Sequence, residues 1–444
     1  MQTREVVVEL LSQLGGSREA REYLNKFQSR DSTQFAVVKV GGEILMHDMQ
    51  QLASALGFLY HVGLFPIVLH GAGKQLDTAL KQTQVESEKV DGIRVTTPEV
   101  MSVLRPVIYQ QNTALVDALE GLGIRSRSVQ HGVFECDFLD AERFGLVGDV
   151  SQVNLEQLRS AVHSGMLPIV TCLGETTGGQ VMNINADTAA AQLVLALQPQ
   201  KIIFLTPTGG LLDEDGRIIS AISLVSDYER LVDSHWVHSG MRLKLIQIAE
   251  LLGQLPATSS VSITSAQNLT KELFTHRGAG TLIRQGEAFS WSTEIDHQLK
   301  ALLNKLLQEC FDRTLRDDYF LTLCDSSVVV ANSGRAAAVV RKTSRDVAYL
   351  DKIAVTPAAQ GEGLGAALWE QIHLQNPRLY WRSRLSNPIN GWYARQADFS
   401  CKRDHWMIYG YGIEDWELVG QLCADAADRP EYWNDSQTNR VATT

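Results

Sequence analysis

FAVVKVGGE at residues 35–43 and FPIVLHGAGK at residues 65–74 decide the fold. In each, a short apolar run of strand character stops on glycine and gives way to helical spacing. Between them lies MQQLASALGFLYHVG at 49–63, and Leu76 and Leu80 mark a further helix. Strand, helix and strand in turn predict an α/β domain with a mainly parallel open sheet between helices. The alternation continues through LPIVTC (167–172) and KIIFLT (201–206) to TLIRQGE (281–287), so one large domain is expected over residues 31–287. Lys39 then falls at the carboxyl end of a parallel strand, the edge where such sheets bind ligands. Gly41 and Gly42 follow it, and Gly71, Ala72 and Gly73 make a second loop at that edge. Two such loops offer backbone N–H groups to a phosphoryl group. Either loop alone is as readily an ordinary turn.

Outward from this core the organisation changes twice. EVVVELLSQLGGSREAREYLNKFQS (5–29) reads as one or two amphipathic helices broken at Gly15 and Gly16, an arm over residues 1–30 for packing or oligomer formation. TEIDHQLKALLNKLLQECF (293–311) starts a second, smaller α+β domain, expected over 294–440. LTLCDSSVVVAN (321–332), RAAAVVRKT (335–343) and VAYLDKIAVT (347–356) predict an antiparallel meander, and GLGAALWEQIHL (363–374) a helix after it.

At 444 residues, with 44% hydrophobic and 20% charged, the chain has the make-up of a two-domain globular protein. A net charge of −11 excludes a general nucleic-acid or anionic-membrane binder, which needs a broad positive field. It does not exclude ATP or CoA, which need only a local cluster of cations and helix N-termini. The six cysteines form no C-x-x-C pair and no His spacing for zinc, so a reducing compartment and no dedicated metal site are expected. No apolar run reaches about 18 residues, and the N-terminus is rich in Glu, unlike a signal or transit peptide. A cytoplasmic location follows as the expectation.

NINADTAA (183–190), FLTPTGGLL (204–212) and SGMRLK (239–244), with the two glycine loops, resemble the amino-acid kinase family, acetylglutamate kinase in particular. The resemblance covers about residues 30–285 and implies that fold. It also implies ATP with Mg²⁺ and phosphoryl transfer to a carboxylate. Lys39 and Lys244 would neutralise the phosphoryl group in flight, and Asp187 would hold the two ammonium groups in place. Phosphoryl transfer asks for positioning and positive charge, which these residues supply. In DGIRVT (91–96), Arg94 would grip the α-carboxylate of N-acetyl-L-glutamate and Asn183 would add an amide contact. By themselves, Arg94 reads as a surface ion pair and Asn183 as a helix cap. Gly209 and Gly210 resemble the nucleotide-side loop. Ala72 departs from the family's three glycines, and a methyl pointing inward would crowd the phosphoryl group; Lys74 adds a positive charge beside it.

Gln360, Gly361, Gly363 and Gly365 lie between a strand and a helix in the Q-x-x-G-x-G pattern of the GNAT acetyltransferases. There, N–H groups at a helix N-terminus receive the diphosphate of acetyl-CoA. WRSRLSNPINGWY (381–393), with YLDK at 349–352, resembles the acetyltransferase domain of vertebrate-like N-acetylglutamate synthases. Lys352, Arg382 and Arg384 are then placed near L-glutamate and CoA. Asn387 and Tyr393 would carry the chemistry at the thioester, Tyr393 protonating the departing thiolate. Aromatic packing alone explains the Trp and Tyr of this run but not its arginines and asparagines.

Together the two resemblances imply a bifunctional enzyme of arginine biosynthesis, in which the second domain's product is the first domain's substrate. A homo-oligomer, with a tetramer favoured, is expected. So is inhibition by L-arginine, through the arm and ELFTHRGAGTLI (272–283), where His276 and Arg277 stand in place of frequent acidic residues. Three other readings stay open: a monofunctional synthase whose kinase-like domain senses arginine, an active kinase with an inert or protein-modifying acetyltransferase module, and, ranked last, a purely structural or interaction protein.

Overall fold

The computed structural model describes residues 34–199, 201–237, 239–256, 259–274, 279–359 and 363–434. The amphipathic arm, His276, Arg277, Gln360 and Gly361 lie outside these residues. The chain divides into two compact units, one up to Gln285 and one from Gly286.

In the first unit, an eight-stranded sheet is built from β1 (Ala36–Val40), β2 (Ile67–His70), β3 (Ser126–Val129), β4 (Leu167–Thr171), β5 (Lys201–Leu205), β6 (Ala221–Ser223), β7 (Ser260–Thr264) and β8 (Thr281–Arg284). Its order is β6-β8-β7-β5-β1-β2-β4-β3. Pairing is parallel from β3 across to β7, and reverses between β7 and β8. β1 has β2 on one side and the later β5 on the other, so the crevice outside its carboxyl end is the topological switch point. Strand alternation divides β1 between two cores: Val37 joins one cluster, and Ala36, Val38 and Val40 the other. Four helices position the site: α1 (Gly42–His47), α2 (Gly73–Thr83), α3 (Pro98–Glu120) and α4 (Ala186–Leu197), joined later by α5 (Ser239–Gly253). Leu76 and Leu80 are the buried residues of α2, as their spacing predicts. A separate four-stranded sheet combines Val181–Asn183, Leu173–Glu175, Phe134–Phe138 and Gly148–Val153.

The second unit is a seven-stranded sheet of β9 (Phe289–Ser292), β10 (Ser326–Ala331), β11 (Ala336–Arg341), β12 (Ala348–Val355), β13 (Leu379–Arg384), β14 (Phe399–Arg403) and β15 (Trp406–Tyr411), in the order β9-β10-β11-β12-β13-β15-β14. The meander β10-β11-β12 is antiparallel, and the LTLC at its head is not strand: Leu321 and Thr322 close a 3₁₀ helix over Tyr319–Thr322, and the strand starts only at Ser326. β12 and β13 run parallel but pair only from Ala348–Leu379 to Leu350–Trp381. Beyond that point, among the described residues, β13 pairs with β15 and no longer with β12. Among the described residues four helices complete the unit: one over His297–Phe311, then α6 (Leu364–Gln375), α7 (Asn390–Gln396) and α8 (Trp416–Asp428). Among the described residues no helix is long and apolar enough to cross a membrane.

Candidate active sites

Lys39 is buried on the face of β1 that it shares with Val37, and α4 packs against that face. Asn185 caps α4, its side-chain oxygen accepting from the N–H groups of Asp187 at 2.8 Å and Thr188 at 3.4 Å. The cap fixes Asp187 in the first helical turn, beside the positive end of the helix. Lys39 Nζ lies 2.5 Å from Asp187 Oδ1, and Lys244 Nζ of α5 donates to Oδ2 at 3.1 Å. Burial alone would push the Asp187 carboxyl up, but the two ammonium groups outweigh it and hold it at about 2. Burial lowers the Lys39 ammonium against the pull of Asp187. Two cations on one anion leave a net positive site, the electrostatic requirement for moving an anionic group.

The two glycine loops close against each other beside this clamp. Gly71 N–H donates to Val40 O at 3.2 Å, and a Cβ on Gly42 would stand 3.1 Å from Gly73 N and 3.3 Å from the Ala72 carbonyl carbon. A Cβ on Gly73 would meet nothing within 4 Å, so the side-chain position of Gly73, at the start of α2, borders open space. Ala72 is buried in the apolar cluster that holds Leu76 and Leu80, so its methyl packs in the core. Gly41 is the N-cap of α1. Gly209 takes a left-handed φ of 72°, which favours glycine, in the loop after β5. A Cβ on Gly210 would run into Ile218 and the Thr281 hydroxyl.

Arg94 stands at the end of a short hairpin, its guanidinium donating to Asp77 and, at 2.7 Å, to Ser87. Asn183 is not a helix cap, since Asn185 fills that role; its amide donates to Thr96 Oγ1 at 3.0 Å, and Thr96 Oγ1 donates to Arg94 O at 3.0 Å. Thr96, fully buried, thus ties the two expected substrate residues together. It ends the DGIRVT run without being singled out there. His70 was also passed over. Asn112 Nδ2 lies 3.0 Å from both Ile169 O and His70 Nε2. Because a carbonyl only accepts, that nitrogen is the amide donor, and His70 Nε2 must accept from it.

In the second unit a β-bulge organises the expected acceptor cations. Val339 pairs with Lys352 and Val340 with Leu350, leaving Asp351 as the extra residue. Asp351 accepts from Lys352 Nζ at 2.9 Å, Arg341 at 2.8 and 3.0 Å, and the Tyr319 hydroxyl at 3.1 Å. Burial pushes its carboxyl up, and Lys352 and Arg341 more than reverse this, holding it at about 2. Arg382 is committed to structure: its guanidinium donates to the carbonyls of Ala426, Ala427 and Pro430 at the end of α8 and lies 4.1 Å from the Trp406 ring centre. Arg384 donates to Glu431 at 2.5 Å. Asn387 shapes the turn into α7, its oxygen accepting from Ile389 N–H at 3.2 Å. Tyr393 on α7 is buried among Trp369, Trp381, Trp392 and Tyr409, and burial raises its phenol. Gly363 caps α6 with a left-handed φ of 81°, and a Cβ on Gly365 would touch Val355 at 3.5 Å. No cluster of three or more His, Cys, Asp or Glu able to hold a metal ion occurs among the described residues.

Two family models match the chain: the amino acid kinase family over residues 34–257, and the N-acetyltransferase of N-acetylglutamate synthase over residues 265–429. The acetylglutamate kinase of Xylella fastidiosa strain 9a5c is 46% identical over 417 residues, covering 94% of this chain and 99% of that protein. The mitochondrial N-acetylglutamate synthase of Homo sapiens is 30% identical, with 96% of this chain and 78% of that one covered. The mitochondrial protein arg-6 of Neurospora crassa is 38% identical, and the match takes in 95% of this chain and 50% of its length. The fold is shared with N-acetylglutamate synthase from Neisseria gonorrhoeae, solved with coenzyme A and N-acetyl-glutamate. That structure has a TM-score of 0.66 at 19% identity, covering 90% of this chain and 99% of that one.

Proposed function

Because this chain belongs to the amino acid kinase family and carries the N-acetyltransferase domain of N-acetylglutamate synthase, we propose that it performs two successive reactions of arginine biosynthesis. The first moves acetyl from acetyl-CoA to the amine of L-glutamate. The second moves the γ-phosphoryl of ATP to the side-chain carboxylate of the resulting N-acetyl-L-glutamate.

The Asp187 clamp carries the kinase reading. A carboxylate oxygen of N-acetyl-L-glutamate attacks the γ-phosphorus, the bond to the bridging oxygen breaks, and ADP leaves. Lys39 and Lys244, held on Asp187, face the charge that develops on the transferring oxygens. The N–H groups of Gly41, Gly42 and Gly73 cradle that group, Gly71 N–H being spent on Val40 O, and Gly209 and Gly210 border the nucleotide. Arg94 takes the α-carboxylate by exchanging it for Asp77, and Asn183 holds the same substrate. Mg²⁺ enters with ATP as part of the substrate and neutralises phosphate oxygens. A sensor that only bound arginine would have no use for one buried and one half-buried lysine on a single carboxylate.

For acetyl transfer, the N-terminus of α6, capped by Gly363, receives the CoA diphosphate. The neutral amine of L-glutamate attacks the thioester carbonyl carbon, the C–S bond breaks, and the thiolate takes its proton from Tyr393, whose burial keeps the phenol protonated; the proton lost by the amide nitrogen passes through water and restores the phenol. Lys352 and Arg384 supply positive charge for the acceptor's carboxylates. Inhibition by L-arginine and a tetrameric assembly belong to the same reading.

Paired assays test it: CoA release with L-glutamate and acetyl-CoA, and ADP release with N-acetyl-L-glutamate and ATP. Lys39→Met is expected to lose only ADP release and Tyr393→Phe only CoA release. A Lys39→Met enzyme that still makes ADP overturns the kinase assignment, and a wild type with no glutamate-dependent CoA release overturns the synthase.

A further inference from the structure

All three cations expected at the acetyl-acceptor site are engaged by one piece of chain. Arg382 binds the carbonyls of Ala426, Ala427 and Pro430, Arg384 binds Glu431, and Lys352 Nζ lies 5.8 Å from the Trp433 ring centre. The piece is fastened on its other side. Arg316 N–H donates to Tyr432 O and Asn434 N–H to Thr314 O, both at 2.9 Å, and Leu315 and Trp433 form a β-bridge. This places the Glu431 carboxylate 2.5 Å from Arg384, 3.7 Å from Arg313 and 3.7 Å from His405.

A carboxylate against two guanidinium groups is what a dicarboxylic acceptor would itself present to Arg384. We propose that Glu431 is a resident carboxylate that competes with the acceptor's carboxylate for Arg384 and Arg313, and so sets the affinity of the acceptor site; this rests on the acetylation of L-glutamate proposed above. The competing role of a general base fits the chemistry less well. Against the upward push of burial, Arg384 and its neighbouring arginines hold the Glu431 carboxyl below the usual range, which makes it a weak base for an ammonium group. As a counter-ion it serves well, because it keeps Arg384 oriented and partly desolvated until a better-placed carboxylate displaces it. Glutamate must therefore outbid an internal anion.

E431Q keeps the shape and removes the charge. At saturating acetyl-CoA, the KM for L-glutamate is expected to fall about threefold in E431Q, with kcat within about twofold and the KM for acetyl-CoA unchanged. An unchanged or raised glutamate KM overturns the proposal. E431D, which retains the charge on a shorter arm, is expected to fall between wild type and E431Q, and it serves if E431Q folds poorly. Glutarate binding by calorimetry gives an arm free of turnover: it tightens by the same factor in E431Q, and equal affinities overturn the competition. Absence of glutamate-dependent CoA release in wild type would instead remove the acetylation reading, leaving the glutarate comparison to decide the role of Glu431.

Discussion

Lys39 and Asp187 meet at 2.5 Å, one from the end of β1 and the other from the first turn of α4, two elements far apart in the sequence. The strand aims the ammonium and the Asn185 cap aims the carboxylate. Asp187→Asn keeps the cap and removes the charge, leaving Lys39 and Lys244 to repel each other across the site. ADP release is expected to fall by about 100-fold or more, on the scale of losing an oriented electrostatic group, while CoA release in the same preparation stays within about twofold.

The two loops beside that pair separate packing from chemistry. Gly42→Ala puts a methyl 2.5 Å from the Gln75 side-chain oxygen and 3.1 Å from Gly73 N, so the Gln75 amide, which donates to Gly42 O, must move and the second loop must give way slightly, and the melting temperature is expected to drop. Gly73→Ala meets nothing in the free protein and is expected to melt as wild type does. Its methyl instead enters the space proposed for the phosphoryl group, so the KM for ATP should rise and ADP release fall. Melting curves and ADP assays on both variants check the contrast; an active Gly73→Ala would place the phosphate elsewhere.

How much of this was readable beforehand depends on how local the signal is. β1, β2 and their glycine loops are legible because alternation, length and turn residues lie within ten residues of one another. The meander is legible for the same reason. β9 is not: four residues of mixed polarity, FSWS, read as linker until β10 supplies a partner. Arg382 shows the limit most clearly, since sequence gives its charge and motif but not its partners, which are carbonyls at the end of α8. Thr96 and Glu431 escape similarly, because their roles come from groups that only the fold brings near. Ala72 looked like an obstruction, and only its burial with the α2 leucines shows where its methyl goes.

Arg382 accordingly yields a stability prediction. Arg382→Lys keeps the charge but cannot spread donors over three carbonyls or stack as a plane on Trp406. A loss of about 1–2 kcal/mol is expected, read as an earlier denaturant midpoint for the second unit. If Arg382 served only to hold substrate, the midpoint would not move and the KM for L-glutamate alone would rise.

His70 sets a pH window of its own. It is fully buried at the end of β2, burial lowers its imidazole to about 4, and Nε2 already accepts from Asn112. Protonation would place an N–H against the Asn112 amide donor in a dry core. The folded value lies below the unfolded one, about 6.5, so the unfolded chain binds the extra proton first as pH falls. Stability from the neutral ring is therefore complete above pH 6.5 and drains away as pH falls from about 6.5 towards 4, by about 3 kcal/mol in all. Asp187 and Asp351, both held at about 2, act in a lower window, contributing above about pH 4 and losing that contribution as pH falls towards 2. Denaturant unfolding at stepped pH should show the first decline in wild type and lose it in His70→Gln, whose amide cannot take a proton in this range. A His70→Gln variant that still weakens between pH 6.5 and 4 would assign that loss to another group.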